Sequence, residues 1–180
     1  AEQSIQKKAL SIAEDAYYDN LSAFCKSLRG SDPNAALFYS ERLIQAGIDP
    51  LSIFRRLMAH AAEDVGMADP QALVVAASAL TAYEKMGSPE GLLPLSEAII
   101  YVCLAKKSNS VVIAMNAARE AALKHADLEP PVYLRDTNFK NQKITGYKYP
   151  HDYGGWVEQQ YLPDEIRDEK FYMPKENDKR

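Results

Sequence analysis

The sequence predicts an all-α fold on three observations: four glycine-to-proline marks that close one helix and open the next, apolar residues at helical period between the marks, and no strand-like alternation before Pro130. The chain opens without Met directly in a helical pattern, Ile5, Ala9 and Ile12, as a piece of a longer polypeptide would. The marks follow in order: Gly30-Ser-Asp32-Pro33, Gly47-Ile-Asp49-Pro50, Gly66-Met-Ala-Asp69-Pro70 and Gly87-Ser88-Pro89. At each, glycine suits the left-handed turn after a helix end. Asp or Ser accepts a hydrogen bond from a free amide of the next helix, and proline at the first helical position loses no N–H bond.

Spacings of 17, 20 and 19 residues between these prolines leave room for helices of about three turns with short connections, which makes neighbours antiparallel. After Pro50 the apolar face is Phe54, Leu57, Met58 and Ala61; after Pro70 it is Leu73, Ala76, Ala77 and Leu80. Leu95, Ile99 and Val102 follow the Ser88-Pro89 mark, and Val111, Met115, Ala118 and Ala122 follow Lys106-Lys107-Ser108-Asn109. Residues 1–127 therefore read as a stack of about six or seven short helices.

The rest differs in kind. From Thr137 to Arg180 the charges balance, prolines recur at Pro150, Pro163 and Pro174, and helical period is weak. Yet Phe139, Tyr147, Tyr149, Tyr153, Trp156, Tyr161, Phe171 and Tyr172 lie here, and disordered tails are aromatic-poor. The expectation is an irregular C-terminal arm strapped onto the helical body or a second subunit, with its aromatics as anchors.

Composition narrows the function classes. With 180 residues, 47% hydrophobic and 26% charged, the chain can bury a core without staples. A net charge of −4 excludes a uniformly basic nucleic-acid binder, so any DNA contact must be a local patch. Cys25 and Cys103 lie far apart, each in an apolar helical pattern, and read as reduced thiols in a cytoplasmic protein. No apolar run approaches the roughly 18 residues of a membrane span, and the start lacks the apolar stretch of a signal peptide.

Common catalytic motifs are missing. None of the eight glycines precedes lysine, and GxGxxG, HExxH, paired CxxC and G-x-S-x-G do not occur, so the expectation is no catalytic residue, no bound cofactor and no metal in this chain. His60, Glu63 and Asp64 fall at i, i+3 and i+4 of a helix, which suits a metal or a general base. The plainer reading is an ionic cluster at a surface or helix end, partnered by Arg55 and Arg56. Lys106 and Lys107 sit at a helix junction where lysines oppose the preceding dipole and Ser108 or Asn109 caps the next helix; phosphate contact is the functional alternative. In the arm, Lys140, Lys143 and Lys148 interleave with Phe139, Tyr147 and Tyr149. Cations and aromatics in that pattern suit single-stranded DNA, and the alternative is aromatics packed on protein with solvated lysines.

Five motifs occur in order over most of the chain: Ser27-Leu-Arg29-Gly30-Ser31-Asp32-Pro33-Asn-Ala35-Ala36-Leu37, Ala62-Glu63-Asp64-Val-Gly66-Met-Ala68-Asp69-Pro70-Gln-Ala72, Pro89-Glu90-Gly91, Ala105-Lys-Lys107-Ser108-Asn109 and Gly146-Tyr147-Lys148-Tyr149-Pro150-His151-Asp152. Together they resemble the C-terminal part of the replication-associated recombination protein A family. That family is also called the maintenance-of-genome-stability (MgsA) AAA+ ATPases, and it has Werner-helicase-interacting relatives in eukaryotes. The resemblance implies a clamp-loader-collar-like domain of a larger ATPase acting at replication forks. It divides the chain into the end of a helical lid or linker helix (1–17), a helical oligomerisation domain (18–127) and an extended arm (128–180). It further implies a homotetramer, DNA engaged by the full-length protein, replication partners such as single-strand-binding protein, and a nucleoid-associated location. ATP and Mg2+ would be held only by an ATPase core upstream of Ala1.

Overall fold

A computed structural model describes the backbone of residues 2–136 and 143–179, and side chains from Asp15 onward. Among the described residues there are six α-helices and no strand. They are α1 (Glu2–Arg29), α2 (Pro33–Gln45), α3 (Pro50–His60), α4 (Gln71–Met86), α5 (Leu92–Leu104) and α6 (Ser110–Lys124). A π-helical turn (Ala61–Val65) and a 3-10 turn (Gly66–Ala68) join α3 to α4, and further 3-10 turns lie at Val132–Leu134, Pro150–Tyr153, Asp164–Ile166 and Glu176–Asp178. The helix α1 runs unbroken through residues 17 and 18.

The Asp-Pro helix starts hold as expected at two of the four marks, although at the first of them Ser31 (φ 61°) and not Gly30 is the residue with positive φ. Asp32 accepts from the Ala35 N–H at 2.9 Å with Pro33 opening α2, and Asp49 accepts from Leu51 at 3.0 Å with Pro50 opening α3. Such caps contribute about 1 kcal/mol each. At the third mark Pro70 stands just before α4, and Asp69 takes the Gln71 N–H at 3.1 Å on Oδ1 and the Tyr101 hydroxyl at 2.8 Å on Oδ2, so one carboxylate ties the start of α4 to α5. The fourth mark is a correction: Ser88 caps nothing and Pro89 opens no helix. The Ser88–Pro89 peptide is cis, the Gly91 N–H closes on the Gly87 carbonyl at 2.6 Å, and α5 starts only at Leu92. This turn is so tight that a Cβ on Gly91 would lie 2.6 Å from the Gly87 oxygen and 2.8 Å from the Tyr83 ring.

Two compact units emerge, Ala1–Ala114 with Tyr172–Arg180, and Met115–Phe171. The first holds the core. Phe24 and Leu28 of α1, Leu43 of α2, Ile53, Phe54 and Leu57 of α3, and Leu95, Ile99 and Val102 of α5 are fully buried. Each such side chain supplies about 1.5–3 kcal/mol of burial. The faces expected on α3 and α5 are the buried ones, apart from Met58, which is only partly covered. The face expected on α4 is rotated: Ala72, Ala76 and Ala79 are buried, whereas Leu73 is 42% exposed and Ala77 faces solvent. Alanine at those three places lets α4 lie close to the bulkier α5, and the larger Leu73 and Val74 are left outside. Cys25 and Cys103 are free thiols, and burial pushes the Cys103 thiol up to about 11.

The second unit has no buried residue among those described. Within the unit its aromatics are not packed into a core: Tyr147, Tyr149, Tyr153, Trp156 and Tyr161 are each about half exposed or more. Side-chain hydrogen bonds hold the irregular backbone instead. The Gln159 amide pairs with both backbone groups of Lys148, donating to its carbonyl at 2.8 Å and accepting from its N–H at 3.2 Å. The Tyr133 hydroxyl donates to the Gln160 carbonyl at 2.7 Å, and Gln160 in turn donates to the Leu162 carbonyl and to Asp164. Phe139 and Lys140 lie outside the described residues.

Candidate functional site

Four places in the chain gather chemistry. The first is the π-helical turn after α3. His60 and Asp64 are buried, each 7% exposed, with His60 Nδ1 2.6 Å from Asp64 Oδ2. The guanidinium that completes the site is Arg29 at the end of α1, Nε to Asp64 Oδ1 at 2.9 Å. The cluster is ionic and lies at a helix end, one of the two places expected, but it is buried and its partner is Arg29 in place of Arg55 and Arg56, both of which are exposed. Glu63 stands farther off, 3.9 Å from Arg29 Nη2. The wider π turn separates the two acids and turns Asp64 inward, as such bulges often do where a polar group must be placed. Each Asp64 oxygen thus has one partner, Arg29 on Oδ1 and His60 on Oδ2. Among the described residues no group of three His, Cys, Asp or Glu side chains is placed to hold a metal.

The second place is the α5–α6 junction, which rests on the π turn through the Ser108 N–H, donated to the Asp64 carbonyl at 2.7 Å. Lys107 turns back onto the end of α5. Its ammonium donates to the carbonyls of Val102, Cys103 and Ala105 at 3.0, 2.9 and 2.7 Å, meeting the negative end of the helix dipole. Burial there pushes its pKa down. Lys106 beside it is exposed.

At the same junction sits a residue that sequence reasoning missed, Asp178 from the last 3-10 turn. It is 8% exposed, accepts from the Lys175 N–H at 2.9 Å on Oδ2, and faces the start of α6. The Ser108 and Ser110 hydroxyls beside it hold its carboxyl below the usual carboxylate range. The buried Oδ1 lacks a hydrogen bond of standard geometry, so that pull acts through proximity of the hydroxyls. Ser108 donates to the Ser110 hydroxyl at 3.1 Å, which leaves the Ser110 proton for the carboxylate. Asn177 donates to the Lys107 carbonyl at 2.8 Å, and Lys175 donates through Nζ to Asn109. The sequence marks Ser108 and Asn109 as helix-start residues; nothing in it signals a carboxylate arriving from the far end of the chain.

The third place is the arm. Lys143, Tyr147, Lys148 and Tyr149 share one extended segment and all are exposed. Lys148 Nζ donates to the Glu158 carbonyl at 3.3 Å, and the Tyr149 ring lies 5.1 Å from His151. Tyr147 faces a cleft of about 580 Å3 whose wall includes Tyr133, Arg135 and Tyr161. Two of these rings are fixed by their hydroxyls: Tyr133 on the Gln160 carbonyl, and Tyr161 on the Gln159 amide at 2.8 Å.

The fourth place is an apolar strip along α4 and α5. Val74, Val75, Ala79, Ala82 and Pro94 line one groove and Ile100, Tyr101 and Leu104 line a second, with Glu97 common to both. Val74 and Leu104 are 54% and 68% exposed. On α6 only Ser110 is buried, and Val111, Ile113, Met115 and Leu123 are exposed. The face of α6 expected to pack inward is thus left largely open. No helix among the described residues is long and apolar enough to cross a membrane.

A family described as MgsA AAA+ ATPase C terminal matches residues 30–180. Replication-associated recombination protein A of Bacillus subtilis is 46% identical over 186 residues, covering 99% of this chain and 44% of that protein. The protein of the same name from Escherichia coli K12 is 42% identical, with 89% of this chain and 37% of that protein covered. ATPase WRNIP1 of Dictyostelium discoideum is 37% identical over 88% of this chain and 19% of its own length. The chain thus spans less than half the length of these relatives.

Proposed function

The chain belongs to the MgsA AAA+ ATPase C-terminal family, and from that premise we propose that it is the non-catalytic assembly module of a DNA-dependent ATPase acting in replication-fork maintenance, recombination and repair. The observation that carries this reading is the exposed apolar strip on α4 and α5, together with the open face of α6. Exposed apolar side chains grouped along one pair of helices suit a contact with another macromolecule. A second copy of the chain, in a homotetramer, is the occupant proposed.

The reading puts ATP and Mg2+ outside this chain, and the basic helix junction among the described residues supports it. Lys107, three residues before the start of α6, is committed to the end of α5, and that helix start already faces the Asp178 carboxylate. We propose that the remainder of the full-length protein carries the nucleotide chemistry and the main contact with DNA, with single-strand-binding protein a partner there. Light scattering over a concentration series tests the assembly reading. A mass near four times 20.1 kDa is expected, and a constant 20.1 kDa from micromolar to hundreds of micromolar overturns it.

One observation favours a second reading, direct single-strand DNA contact by the arm: the Tyr133 and Tyr161 rings are held by their hydroxyls beside Arg135 and near the Tyr147–Lys148 segment. Fixed rings next to cations suit stacked bases. Titration of labelled oligonucleotide at two salt concentrations tests it, because phosphate contacts weaken as salt rises. No binding at low salt ends this reading.

A further inference from the structure

The last residues of the chain return to the first unit and dock on the start of α6. The contact is almost wholly polar. Tyr172 and Met173 stay exposed, as do Lys175, Glu176 and Asn177, and Asp178 alone is buried. It bears on α6 at a place where that helix has little else to hold it, since Ser110 is the only residue of α6 that is buried. The neighbouring Val111 rests on the Gly66 turn, where φ is +50° and an added Cβ would lie 3.2 Å from Val111 Cγ2.

We infer that the α5–α6 junction is a docking site for residues 172–179, and that this segment acts as a releasable clasp. Seated, it fixes the first turn of α6, and with it Val111 and Ile113, in the arrangement used for assembly. Three features support this. A carboxylate at a helix start meets the positive end of the helix dipole, and Asp178 is buried there beside the Ser108 and Ser110 hydroxyls. A segment that buries one polar side chain and no large apolar one belongs to the least stable part of a fold, so it opens without global unfolding. The surface it controls carries exposed apolar side chains within one turn of Ser110. The assembly limb of the inference rests on the function proposed above; the docking limb stands without it.

Hydrogen exchange of the full 180-residue chain tests the docking limb, with Asp178→Asn as the isosteric variant and the Lys175→Ala/Asn177→Ala pair as a second. In both, amides 110–114 are expected to exchange about tenfold faster, while α4 amides stay within about twofold and report an intact body. A peptide of residues 172–180 added to the Asp178→Asn chain is expected to restore protection, and the same peptide carrying Asn in place of Asp178 is not. Unchanged exchange at 110–114 in both variants overturns the clasp. For the assembly limb, the dissociation constant of the Asp178→Asn oligomer is expected to rise about tenfold, equivalent to about 1.4 kcal/mol. An unchanged constant with faster exchange overturns that limb and leaves assembly itself intact. A monomeric parent chain overturns the assembly reading, and the exchange result then decides the clasp alone.

Discussion

Arg29 and Asp64 meet across 35 positions of sequence, the guanidinium Nε 2.9 Å from a carboxylate oxygen whose twin is 2.6 Å from His60. The pair fastens the end of α1 to the π-helical turn, and the Asp64 carbonyl, through Ser108, fastens that turn to the start of α6. One residue thereby joins three segments distant in sequence.

Removing Arg29 leaves Asp64 buried with His60 alone. Loss of one partner from a fully buried pair costs about 3–5 kcal/mol, but the Arg29 side chain is 52% exposed, so Arg29→Met is expected to cost about 1–2 kcal/mol. Urea unfolding measures it. Asp64→Asn is expected to cost more, because it weakens both contacts at once. Equal losses for Arg29→Met and Arg55→Met would show that the contact contributes nothing beyond surface charge.

Gly91 offers a steric test. A methyl group there would press on the Gly87 oxygen at 2.6 Å and on Tyr83 at 2.8 and 2.9 Å, so the α4–α5 turn must open. Gly91→Ala is expected to destabilise by about 2 kcal/mol, in the range of overpacking. A thermal melt within error of the parent would mean that the turn is far looser than its geometry.

Acid should release the end of the chain before it unfolds the body. The nearby Ser108 and Ser110 hydroxyls depress the folded pKa of Asp178, with the Lys175 N–H and charge helping. A depressed folded pKa means that the stabilisation is complete above the unfolded value, about 3.9, and is lost as pH falls through the folded value. Amide signals of residues 175–178 and 108–111 are therefore expected to titrate together below about pH 4, and Asp178→Asn to abolish that shared step. Independent titration of the two segments would contradict the docking.

These contacts show what was legible in the sequence. Asp32, Asp49 and Asp69 could be assigned because hydrogen bonding at a helix start is local, depending on residues two or three positions apart. The buried stripes of α3 and α5 were legible because their large residues fall on one face. On α4 the large residues mislead, since close packing selects the alanines and leaves Leu73 and Val74 outside. The Arg29–Asp64 and Asp178–Ser110 relationships could not be read at all. Each joins distant segments, and the π turn that points Asp64 inward carries no local signature separating it from an ordinary helical turn. Lys107 could be placed at a helix junction, but its three carbonyl partners require the last turn of α5 to be in place.

The α4–α5 strip gives the sharpest separation of folding from assembly. Val74 and Leu104 are more than half exposed in the single chain, so replacing them with lysine removes no core contact and should change folding stability by less than about 0.5 kcal/mol. In an assembled state the same lysines would be forced out of water beside apolar surface, a cost of several kcal/mol for each buried charge. The double variant Val74→Lys/Leu104→Lys is therefore expected to keep the parent's unfolding midpoint, measured below the association range, and to remain monomeric where the parent associates. If it associates as the parent does, the strip is not the contact. The open face of α6, probed by Met115→Lys and Leu123→Lys, then becomes the surface through which copies meet.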